Sequence, residues 1–271
     1  MNTPNSREAQ QLPSKSVDVR GCSVFKWQLS PSSLSTPVIC RLPPVVRTYV
    51  IHADGRIEKY IPILVSAGYE DVITYRYIDV SGFAYHLGDY KFSVVQRFRP
   101  GNKVVEGQSM IVDLRTVAHH WSVGVLKYGF SLHTTRPFIG DVALASFLGA
   151  MLEVGFVDIA CTGFSTQEGK TAGGSSSHVN GTNGDFRYLR NDLQSGPLSI
   201  ALDGSRPDLL DEVRQAAFIE ALYRFGWKSM LSFRYERDGQ LKLLQRTHHY
   251  SGHHHHLHLQ GYAPLAEEIY E

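Results

Sequence analysis

Near the C-terminus the chain reads Ser251-Gly252-His253-His254-His255-His256-Leu257-His258-Leu259, and upstream it reads Ser177-His178-Val179-Asn180-Gly181-Thr182-Asn183-Gly184-Asp185. Together these segments offer imidazole nitrogens and a carboxylate. Those are the ligand types of a catalytic zinc site, which takes three protein ligands and leaves a fourth position to water. Magnesium and calcium favour all-oxygen sites instead. An H-x6-D followed by a distant H-x-H is more specific than either half alone. His178 and Asp185 lie across Gly181 and Gly184, in a stretch that can fold back on itself. If the histidine run is a strand, His254, His256 and His258 share one face, and two of them can reach one metal or one substrate atom.

These residues need a scaffold, and the bulk properties allow one. The chain has 271 residues, 42% hydrophobic and 20% charged, enough for one large or two small core-forming domains. A net charge of +1 gives no long-range field to hold nucleic acid or anionic lipid. Five of the 13 histidines fall within residues 253–258. Cys22, Cys40 and Cys161 are too few and too widely spaced for a disulfide framework; whether Cys22 and Cys40 pair is left open. No stretch of about 18 apolar residues is present to span a membrane. The polar start lacks the apolar core of a secretory signal, so synthesis in the cytoplasm is expected.

Residues 1–20 read as a flexible tail. From there to about residue 135 the signal is β-rich: Val45–Ile51, Asp71–Tyr77, Tyr90–Val95 and Met110–Leu114 are candidate strands. This part carries no metal or nucleophile pattern, and its role is open. After Pro137 the texture changes. Asp141 can cap a helix whose Leu144, Phe147, Leu148, Met151 and Leu152 recur at helical spacing, with Gly155 as its stop. Phe156–Cys161 reads as a strand and residues 165–184 as a loop. A second helix is expected over about 205–225, capped by Ser205 and Asp208, with Leu210, Val213, Ala217, Ala221 and Leu222 as its apolar stripe. Strands at Lys228–Phe233 and Leu241–Arg246 are expected around the turn at residues 237–240, with the H-x-H run as a last short strand. The reading is an α+β protein of three parts: a tail at 1–20, a β-rich accessory domain at 21–135, and a domain at 136–271 that carries the metal site.

The part from Asp141 onward resembles the LAS metallopeptidases, the group that includes lysostaphin-type enzymes, D-Ala-D-Ala metallopeptidases and the hedgehog fold. Their H-x6-D and later H-x-H are matched by His178, Asp185, His256 and His258. Penicillin-insensitive murein endopeptidases are the most similar, with an S-H-x-x-G-x-x-x-D segment and a terminal G-H-x-x-H-x-H that Gly252, His253, His256 and His258 reproduce. The resemblance covers roughly the last half of the chain. It implies that His178, Asp185 and His258 hold Zn2+, that His256 is the general base, and that His253 stabilises the oxyanion or positions substrate. His254 and His255 offer rival registers: His254 with His256 as the working pair, or His255 in the place where dipeptidases carry a glutamate base.

A histidine tract can also be an adventitious metal binder. This one is interrupted by Leu257 and followed by 13 further residues, unlike a terminal tag. His52, His86 and His133 read as ordinary surface or core residues, Glu168 as solvated, and His248 or His249 as candidates to line the cleft. The expected function is a zinc peptidase acting on peptidoglycan peptides in the periplasm or cell wall. A contractile secretion apparatus or a phage lysis system would deliver it, and an immunity protein is a conceivable partner. The alternatives are a metal-stabilised wall-binding module without catalysis and a zinc amidase on another small peptide.

Overall fold

The β-branched and aromatic runs of the first half pair into a sheet. The computed structural model describes residues 43–173, 175–196, 200–204 and 206–271. The tail at 1–20 and both Cys22 and Cys40 lie outside the described residues. The strands are β1 (Arg47–His52), β2 (Arg56–Ile61), β3 (Val72–Ile78), β4 (Ala84–Arg99), β5 (Lys103–Asp113), β6 (His120–Val123), β7 (Leu126–Leu132) and β8 (Phe138–Gly140). Helix α1 (Asp141–Val154) follows, then β9 (Ile159–Gly163), β10 (Gly184–Phe186) and helix α2 (Glu212–Arg224). The chain ends with β11 (Trp227–Ser232), β12 (Tyr235–Arg237), β13 (Gln240–Lys242), β14 (Thr247–His249), β15 (Leu257–Tyr262) and β16 (Leu265–Tyr270). Two seven-stranded sheets result, ordered β16-β2-β1-β3-β4-β5-β8 and β14-β11-β15-β10-β9-β7-β6, with β12 and β13 apart as a two-stranded hairpin. Both mix parallel and antiparallel pairs, and with two helices the protein is of the α+β class.

Helix α1 is buried along its whole middle, Ala143 through Leu152, as an apolar helix between two layers must be. It packs on β1 and β5 of the first sheet, on β7 of the second, and on α2. Its start is tied down from the first sheet: the Tyr49 hydroxyl donates to the Asp141 carboxylate, and the Tyr75 hydroxyl donates to the Asp141 carbonyl at 2.9 Å. Asp141 sits in the first turn, where a negative charge complements the helix dipole, although no side chain caps the helix. Gly155 ends it in the left-handed conformation, as expected from sequence.

The boundary expected near residue 135 does not separate two bodies. Residues 43–271 form one compact unit. β7, from the first half, pairs in parallel with β9, and β16, the last strand, pairs in parallel with β2. One core joins Tyr49, Ile73 and Val112 to Phe147, Phe186 and Trp227. The first half has its own strand signal, but its buried side chains share one core with those of the second.

Three local expectations also shift. The second helix begins at Glu212, where the Asp211 carboxylate accepts from the Arg214 amide at 3.0 Å; residues 207–209 form a separate 3-10 turn, and Ser205 is outside the described residues. Its buried face is Gln215, Phe218, Ile219, Ala221 and Leu222, whereas Val213 is exposed. The turn at Asp238-Gly239 closes β12 onto β13 and leaves β11 free to enter the second sheet between β14 and β15.

Candidate metal centre

The second sheet sets the site. Antiparallel pairing of β10 with β15 places Asp185 directly opposite His258. His178 arrives from the loop before β10, and the ligand atoms of His178, Asp185 and His258 all lie within 4.8 Å of one another. All three residues are buried, with His178 1% exposed. His178 Nε2 stands 3.1 Å from Asp185 Oδ2, and His258 Nδ1 stands 2.7 Å from Asp185 Oδ1.

The far sides of both rings are held as metal-binding imidazoles require. His178 Nδ1 lies 3.0 Å from the Phe164 carbonyl, which can only accept, so this nitrogen carries a proton and Nε2 is the atom that faces Asp185. His258 Nε2 lies 3.3 Å from the Ser177 hydroxyl. Arg136 Nη2 donates to Asp185 Oδ2 at 3.2 Å. It reaches there because Gly163, beside Asp185 in β9, has no side chain: a Cβ at Gly163 would stand 3.0 Å from Arg136 Nη2. Burial works against ionisation of Asp185, but hydrogen bonds and charge from the histidines outweigh it and hold the carboxyl well below its usual range.

The ligand loop is fixed from behind by the first half of the chain. The Asn180 side chain accepts from the Phe98 amide at 2.9 Å and donates to the Phe98 carbonyl at 2.7 Å. The Gly101 amide donates to the Ser176 carbonyl at 2.8 Å, and Asn102 exchanges hydrogen bonds with the Thr171 backbone. These contacts come from the tip of the β4–β5 hairpin. At the other end of the loop Gly181 adopts φ +65° and lies so close to Gly140 that a Cβ would stand 2.3 Å from the Gly140 nitrogen. Only glycine meets both demands.

The histidine run is not one strand. Ser251–His253 form a 3-10 turn, His254 and His255 continue it, and β15 begins only at Leu257. The shared face of His254, His256 and His258 expected from alternation is therefore absent. The turn is pinned by the buried Tyr188 hydroxyl donating to the His253 carbonyl at 2.7 Å and by the Leu202 amide donating to the His254 carbonyl at 2.8 Å. Folding back in this way brings His256 Nε2 to 3.6 Å from Asp185 Oδ1, with the His253 ring centred 4.6 Å from that of His256 and 5.2 Å from that of His258. His254 turns away, its Nε2 3.9 Å from Asp203 and its ring against Phe233. His255 stays on the cleft wall. Burial pushes the His256 and His253 imidazoles down, to about 3 and about 4, so both are neutral at pH 7.

In front of the cluster is an open cleft of about 680 Å³, lined by all five of these residues and by Arg136, Arg187, Ser177 and Tyr250. The structure thus gathers the five residues singled out from sequence. His248 and His249 lie outside it on β14, where His249 Nδ1 accepts from the Arg234 amide. Arg136, Arg187 and Asn180 were missed. For Arg187 the spacing of two from Asp185 was a readable signal; for Arg136 and Asn180 there was none.

The donor set, two imidazoles and one carboxylate with oriented outer partners, fits a metal ion. A buried His253 Nδ1 without a partner beside the cluster is consistent with a further group in the cleft. Comparison with protein-family models and with curated proteins finds no match to this chain.

Proposed function

We propose that the protein is a zinc-dependent peptidase that cleaves peptide bonds of bacterial peptidoglycan, built on a LAS-type arrangement of His178, Asp185, His256 and His258. The convergence of His178, Asp185 and His258 on one point, with His256 and His253 beside it at the floor of an open cleft, carries the reading. Two nitrogens and one carboxylate oxygen leave a coordination position open, as hydrolytic zinc sites do. Zinc, when bound there, would polarise the scissile carbonyl and bring the pKa of a water toward about 7.

The side chains supply the rest. His256, neutral and partly shielded, accepts the proton of the attacking water and returns it to the leaving amine. His253, beside His256 and His258, donates to the developing oxyanion in this reading. Arg136 and the Phe164 carbonyl hold Asp185 and His178 in place so that neither has to reorganise. Action on murein places the work in the periplasm or wall, with a secretion apparatus or a phage lysis system as the means of delivery and an immunity protein as the partner of a producing cell.

Digestion of purified sacculi by the full chain with zinc, followed by mass analysis of the released fragments, tests this. New amine and carboxyl ends at one type of stem or cross-link bond are expected. Intact sacculi with a zinc-loaded, folded protein would rule the reading out.

A further inference from the structure

Arg187 lies two residues beyond Asp185, just past the end of β10. Phe186 between them points the other way, into Phe147, Phe164 and Phe218. Arg187 lines the same cleft as His178, Asp185 and His258. Its guanidinium is half-buried, donates through Nη1 to the Gly196 carbonyl, and keeps a buried Nε with no partner among the described residues. Asp185 is the one carboxylate among the described residues that line the cleft, and its contacts go to Arg136 and the three histidines. Arg187 is thus a cation drawn partly out of water with no carboxylate partner among the described residues.

A cation in that position asks for an anion from outside. The planar fork of arginine matches a carboxylate through two parallel hydrogen bonds. Two residues along a strand cover roughly 6.6 Å, and each residue of a bound peptide covers at most about 3.8 Å. We infer that Arg187 binds a carboxylate of the substrate within about two residues of the bond that reacts, so that the cleft selects acidic peptides. This rests on the peptidase reading only for the word substrate; the binding does not require turnover.

The test uses the full chain, treated with chelator so that neither turnover nor metal–carboxylate binding intrudes. Calorimetry would compare an N-acetylated stem tetrapeptide ending in D-Ala with the same peptide whose carboxylates are all amidated. The wild type is expected to bind the acid roughly 10- to 100-fold more tightly. R187Q should abolish that preference while keeping the wild-type melting temperature, and R187K, which keeps the charge but not the fork, should fall between. Equal affinity for the two peptides in the wild type, no binding of the acid, or an unchanged preference in R187Q or R187K overturns the inference. Acid-selective binding together with uncut sacculi would sustain it and reject the peptidase. Cut sacculi without acid preference would do the reverse.

Discussion

At the scale of the residue, the proposed reading separates ligands from proton carriers, and substitutions should separate them too. His178→Ala, Asp185→Ala and His258→Ala each remove one of three ligands, so elemental analysis should find about one zinc per wild-type chain and far less in each variant. Full zinc content in all three, with the wild-type fold, would mean the ligand set is wrong. His256→Ala should keep its zinc and lose about 100- to 10,000-fold in cleavage rate, the usual worth of a general base. His254→Ala should change little, because its ring faces Asp203 and Phe233 rather than the cleft. A dead His254→Ala beside an active His256→Ala would refute these roles. The identities of the five site residues were legible in the sequence because ligand chemistry restricts residue type. Their geometry was not, since alternation treats His254 and His256 alike and it is the turn at Ser251–His253, held by Tyr188 from a distant segment, that parts them.

At the scale of the element, the β4–β5 hairpin is the support of the ligand loop. Asn180 closes both hydrogen bonds of the Phe98 backbone and does so from a left-handed backbone (φ 57°) that asparagine tolerates better than most residues. Asn180→Ala leaves a donor and an acceptor without partners, so a loss of about 1–3 kcal/mol is expected. Thermal melts should fall by several degrees and zinc affinity should drop with them. An unchanged melting point and unchanged affinity would show that the loop holds itself. The strands of this hairpin were visible as alternating runs, and α1 as a helical stripe ending at Gly155. That one buttresses the metal loop was not, because Phe98 and Asn180 are joined only through backbone groups that any sequence carries. The start of α2 was misplaced for a related reason: Ser205 and Asp208 make a cap pattern, but Asp211 offers another one turn nearer the buried residues.

At the scale of the whole molecule, acid should undo the fold and the site together. His253 and His256 are held in the folded protein at about 4 and about 3, below the ordinary value of 6.5, because burial disfavours the charged ring. A depressed folded pKa means stability that is fully present above pH 6.5 and is lost as the pH falls toward those folded values. Asp185, also depressed, adds a further loss below its ordinary value of 3.8. Metal-free protein should therefore melt at a constant temperature above about pH 6.5 and progressively lower from there to pH 4. His253→Phe and His256→Phe should flatten that slope; the same slope in both would assign it to other groups. Metal release by protonation of the ligands adds to the effect when zinc is present.

The pairing of β16 with β2 has a consequence for the order of events in the cell. The strand at the edge of the first sheet, β16, directly follows β15, which carries His258, so β15 is made before it and after every other strand of the second sheet. A nascent chain that has reached only β14 has His178 and Asp185 but lacks β15, one of the two strands that flank β10, and β16 at the edge of the first sheet. Domains assemble as units, and contacts so far apart in sequence form late. Such a chain therefore lacks the assembled His178–Asp185–His258 group until residues 257–270 have emerged.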